Sequence, residues 1–97
     1  MMIDLSPQQL QIVKDILKQH LPNNQVLAFG SRVTGKAKPH SDLDLAIVTT
    51  QPLSIHSIGL LKEAFASSDL AIRVDIVDLA RTENDFKEII LKNSIPV

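Results

Sequence analysis

The chain has 97 residues, 44% of them hydrophobic, with three phenylalanines as its only aromatics and a formal net charge of −1. That length suits one small domain, expected over residues 1–97, with a core built mostly of Leu, Ile and Val. Balanced charge excludes a broad basic surface for nucleic acid, and the lack of cysteine excludes disulfides and thiolate metal sites.

The N-terminal stretch MMIDLSPQQL has neither the basic nor the apolar segment of a secretory signal. No apolar run approaches the ~20 residues of a membrane span. A cytoplasmic protein with no membrane contact is the expectation. Ser6-Pro7-Gln8-Gln9 reads as a helix start, with Ser as cap, Pro in the first helical position and Gln three residues after the cap. Leu10, Val13, Ile16 or Leu17, and Leu21 follow at helical spacing, and LPNN ends the helix.

QVLAF is a short strand stopped by Gly30, and residues 31–41 form a loop with about one helical turn. DLDLAIVT is a second strand, with Leu43, Leu45 and Ile47 on one face and Asp42, Asp44 and Ala46 on the other. SIHSIGLLKEAFASS carries Ile58, Leu61 and Phe65 on a helical stripe. AIRVDIVDL is a third strand, with Ile72, Val74 and Ile76 opposed to Arg73, Asp75 and Val77. Thr82 and Asp85 open a last helix, whose Phe86, Ile89 and Ile90 are expected to face the core. The fold class expected is α/β (α+β): a small mixed sheet of about three to four strands backed by helices.

Gly30, Gly35 and Lys36 have the spacing of a P-loop, but the chemistry does not follow. The next residue, Ala37, offers no hydroxyl to Mg²⁺. Pro39 disfavours the long helix that must open there, and a strand comes instead.

The carboxylates suggest another phosphate chemistry. Asp42 and Asp44 project from the same face at the start of a strand. Asp75 lies within an apolar strand, where a charge is costly unless paired or bound to metal. If the two strands are neighbours, three carboxylates converge on oxygen-ligated divalent cations such as Mg²⁺. Gly30 would allow close backbone approach, and the N–H and hydroxyl of Ser31 would hold a triphosphate.

Gly30-Ser31, ten residues, Asp42-x-Asp44 and an apolar strand resemble the signature of the DNA polymerase β-type nucleotidyltransferases. The short GSRVTGKAKPHSDLDLAIV stretch is similar to the minimal nucleotidyltransferase (MNT) branch. The resemblance covers essentially the whole chain and sets Asp75 as the third acidic position. It implies the nucleotidyltransferase fold, with Asp42, Asp44 and Asp75 as catalytic residues holding two Mg²⁺ ions (Mn²⁺ as substitute). It also implies transfer of a nucleoside monophosphate, AMP from ATP first among them, with release of pyrophosphate. Gly30, Ser31, Arg32 and Lys36 are the expected phosphate-binding set. One departure is Thr34, where the family often has arginine; Lys36 or Lys38 would then substitute. The branch is commonly paired with a HEPN-domain protein, often an RNase toxin, so an antitoxin that modifies its partner, in a hetero-oligomer or a homodimer, is expected.

Two alternatives stand beside that reading: a binding module with a vestigial triad, and a transferase acting on a small aminoglycoside-like acceptor. Asp75 has a competing role as an ion-pair partner of Arg73. Asp78 reads as a surface or capping group, and His20, His40 and His56 lack metal-ligand spacing.

Overall fold

The computed structural model describes residues 2–97. Helix α1 (Pro7–His20) starts as the sequence dictates. The Ser6 hydroxyl accepts from Gln9 N at 3.1 Å, and the Gln9 side chain accepts from Ser6 N at 2.9 Å. Two otherwise orphaned N–H groups are thereby satisfied. The helix buries Val13 and Leu17.

Strand β1 (Val26–Phe29) is followed by the single turn α2 (Ser31–Thr34) and then by β2 (Leu43–Ile47). Helix α3 (Ile55–Ala66) crosses to β3 (Val74–Asp78). A 3₁₀ turn (Leu79–Arg81), α4 (Asn84–Lys92) and the two-residue β4 (Ile95–Pro96) complete the order.

The sheet is mixed, in the order β3-β2-β1-β4, with β1 antiparallel to β2 and β4, and β2 parallel to β3. The fourth strand falls at Ile95–Pro96, which no sequence pattern marks. Pro96 cannot donate to a ladder, and the edge position tolerates that; Val97 N supplies a bond to Val26 O at 3.0 Å instead.

Each sheet face has its own core. Val26, Ala28, Leu43, Leu45 and Ile47 pack beneath α1 and α3, meeting Val13, Leu17, Leu61 and Phe65. On the opposite face Leu27 and Ala46 meet Leu79 and Ile90, with Phe29, Val48 and Val77 around them. β2 is therefore apolar on both faces wherever it is covered.

Helix α4 departs from expectation in its start and in its buried face. Helix α4 begins at Asn84 after Glu83, because Thr82 closes the preceding 3₁₀ turn and donates its hydroxyl to Asp78 O at 2.8 Å. Of its apolar stripe only Ile90 is buried; Phe86 is 45% exposed and Ile89 58% exposed. A nine-residue helix over one corner of a sheet drives a single side chain inward.

Asp78 is not a surface group. It is buried, and accepts from Thr49 Oγ1, from Leu53 N at 2.7 Å and from Ala80 N at 3.1 Å. It does cap the 3₁₀ turn, and it ties the loop leaving β2 to the end of β3. Three donors offset the cost of burying this carboxylate.

Candidate active site

The parallel pairing of β2 with β3 puts Asp44 directly beside Asp75. Neighbouring strands lie about 4.8 Å apart, so like charges in register are close. Asp42 precedes Asp44 by two residues and shares its face. All three lie at the end of the sheet where β2 begins, on the face covered further along by Leu79 and Ile90.

Gly30 closes this corner from β1. Its φ of +78° and ψ of −156° lie in a region that essentially only glycine occupies. A Cβ there would stand 2.3 Å from Asp44 Oδ2. The absence of a side chain is what lets the backbone at Gly30 approach the carboxylate. Ser31 follows at the first position of α2.

The electrostatics are one-sided. Burial, then the Asp75 charge, then the Asp42 charge push the Asp44 carboxyl above its ordinary value. Arg73 Nε lies 3.2 Å from Asp75 Oδ1, so the ion pair weighed from the sequence is formed. Both partners are well exposed, and such pairs contribute little to stability.

The donor set fits a hard divalent cation: all oxygens, surplus negative charge, and a carboxylate whose desolvation a cation would offset. As the side chains stand among the described residues, no three carboxylate or imidazole groups cluster closely enough to hold a metal ion. The backbone register sets Asp44 beside Asp75, and Asp42 lies just before the strand that carries Asp44.

Arg32 serves a purpose different from the phosphate contact expected of it. It is buried, and its guanidinium donates to Ser41 O at 3.0 Å, Asp4 O at 2.7 Å, Pro39 O at 3.1 Å and Lys38 O at 3.4 Å. Those bonds use most of the fork's donors. Arg32 thus braces the loop that delivers Asp42 and pins it to the N-terminal segment. No local pattern announces this, because the acceptors are main-chain carbonyls up to 28 residues away.

Lys36 and Lys38 are exposed on the same loop. Gly35 turns the chain before Lys36 in the left-handed region, at φ +83° and ψ 13°. His40 and His56 are exposed and His20 is half-buried. Among the described residues no helix is long and apolar enough to cross a membrane.

Comparison with known proteins identifies the family. Residues 11–97 match the family described as polymerase beta, nucleotidyltransferase. The chain is 54% identical over 90 residues to a probable protein adenylyltransferase, MntA, of Haemophilus influenzae, covering 93% of this chain and 79% of that protein. It is 43% identical over 56 residues to a spectinomycin 9-adenylyltransferase of Enterococcus faecalis, covering 56% of this chain and only 22% of that enzyme. A crystal structure of a toxin–antitoxin with AMP-PNP superposes with a TM-score of 0.74 at 23% identity, over 89% of this chain and 69% of that one, a likeness of fold. Fold, sequence match and the meeting of β1, β2 and β3 at one acidic corner converge, and the chain belongs to the polymerase beta nucleotidyltransferase family.

Proposed function

We propose that the chain transfers AMP from ATP, with Mg²⁺ or Mn²⁺, to a hydroxyl group of a partner protein, acting as the antitoxin of a toxin–antitoxin pair. The observation that carries this is the in-register pairing of Asp44 with Asp75 beside Gly30. The 54% identity to a probable protein adenylyltransferase supports the choice of acceptor. A HEPN-type protein is the partner that the sequence resemblance implies.

In the reaction the acceptor oxygen bonds to the α-phosphorus, the bond from that phosphorus to the bridging oxygen of the β-phosphate breaks, and pyrophosphate leaves. Asp42, Asp44 and Asp75 would hold the divalent cations, which when bound stabilise charge on the attacking and leaving oxygens. Ser31 and the backbone beside Gly30 orient the triphosphate, and Lys36 on its exposed loop neutralises outer phosphate charge. Asp75, on the edge strand, is assigned the role of taking the proton of the acceptor hydroxyl. Arg32 keeps the Asp42 loop in place and touches no substrate.

The test is to mix the chain with the protein encoded beside it, ATP and Mg²⁺, and to measure the partner's intact mass. Gain of one or more AMP units, absent with Asp42→Ala/Asp44→Ala, is expected. A stable complex with no transfer under any nucleotide or metal would leave neutralisation by binding alone. The engagement of Asp75 with Arg73 is the observation that favours that second reading.

A further inference from the structure

We propose that Phe86 is the nucleobase-stacking residue of this site, its exposed ring receiving the base of the nucleotide whose phosphates lie at Gly30 and Asp44. The inference rests on the nucleotidyltransferase reading of the carboxylates and extends it to the other end of the substrate.

Aromatic surface is scarce in this chain, with three phenylalanines and no tyrosine or tryptophan. Phe65 is buried beneath the sheet in the α1–α3 core. Phe29 is half-buried on the opposite face, packed with Leu27, Ala46, Leu79 and Ile90. Phe86 alone of the three is substantially open, at 45% exposure.

The ladder ties that open ring to the acidic corner. Phe29 is the direct partner of Asp44 across β1 and β2, so both side chains leave the sheet on the same face. Phe86 reaches down from α4 to Phe29, with ring centroids 6.3 Å apart and planes at 80°. Phe86 is therefore one strand spacing and one ring contact from the carboxylate.

That is a separation a nucleotide bridges between its phosphates and its base. An edge-to-face contact fixes a ring without covering both of its faces. Ile89, one turn further along α4 and 58% exposed, lengthens the apolar wall on that side. Neither residue is needed to fill the interior, where Ile90 of the same helix is already buried.

An open aromatic beside a phosphate-binding corner is the arrangement by which proteins hold a base without reading its edge. Stacking on such a ring is worth about tenfold or more in affinity.

The test compares a ligand that has a base with one that lacks it. ATP and inorganic tripolyphosphate are titrated by calorimetry, in Mg²⁺, into the wild-type chain, Phe86→Leu and Phe86→Trp. Leucine keeps an apolar contact on Phe29 while removing the π-face, and circular dichroism verifies that each variant is folded. The expected result is that Phe86→Leu weakens ATP roughly tenfold and leaves tripolyphosphate unchanged, while Phe86→Trp binds ATP at least as well as wild type. Unchanged ATP affinity in Phe86→Leu would overturn the inference while leaving the phosphate site standing. If that variant instead lost its protein partner, the surface would belong to a macromolecule and the inference would again fail. Wild type that binds neither ligand would overturn the nucleotidyltransferase reading itself, and the base site with it.

Discussion

Asp44 and Asp75 are direct neighbours across the parallel β2–β3 ladder, and Asp44 is also the direct partner of Phe29 across the antiparallel β1–β2 ladder. A carboxylate on an inner strand thus has another carboxylate on one side and an aromatic ring on the other. The acidic side leads to the edge strand β3, and the aromatic side leads to α4.

Asp44→Asn should abolish transfer and raise stability at neutral pH. The folded state holds this carboxyl above its ordinary value, so it binds more protons folded than unfolded between the ordinary value and the raised one. Stability of the wild type therefore falls as pH rises through that window. Thermal melts from acid to neutral pH should show the Asn variant and wild type converging in acid, below the ordinary aspartate range of about 4, and diverging above it.

Divalent cation should reverse that penalty. Mg²⁺ at about 100 times its dissociation constant should stabilise the wild type by about 2.7 kcal/mol. No such gain is expected for Asp42→Ala/Asp44→Ala, and melting curves with and without Mg²⁺ make the comparison.

Arg73→Ala should cost less than about 1 kcal/mol, since the pair with Asp75 is exposed. Freed from Arg73, Asp75 should turn toward its neighbours and tighten Mg²⁺ binding, measured by calorimetry. Asp75→Asn should remain folded and lose transfer by orders of magnitude. Normal rates in that variant would show that Asp75 is not the third acidic group.

Gly30→Ala and Gly35→Ala form an informative pair. At Gly35 a Cβ meets nothing within 4 Å, so only the left-handed backbone is strained, at about 1–2 kcal/mol. At Gly30 the backbone strain of about 1–3 kcal/mol is joined by a Cβ 2.3 Å from the Asp44 carboxylate. Denaturant melts should rank Gly30→Ala as the worse, and it alone should displace Asp44 and suppress transfer.

Arg32→Lys should destabilise by about 2–3 kcal/mol, because an ammonium cannot replace a buried fork that serves four carbonyls. Lys36→Ala, on an exposed position, should leave stability unchanged and raise the KM for ATP. Chemical denaturation and initial rates on the two variants separate the brace from the phosphate contact.

The sequence by itself determined the features that depend on near neighbours. The cap at Ser6, the strand ended by Gly30, the shared face of Asp42 and Asp44, and the acidic pattern after Gly30-Ser31 all follow from local spacing. Tertiary structure decided which strands adjoin, and therefore that Asp44 meets Asp75. It also assigned Arg32 to four main-chain carbonyls, buried Asp78 beneath Thr49 and Leu53, and left Phe86 and Ile89 open. Those outcomes depend on partners far along the chain, and a periodic apolar stripe cannot say how much of itself a small sheet will cover. Spacing constrains the direction of a side chain; only packing supplies what it meets.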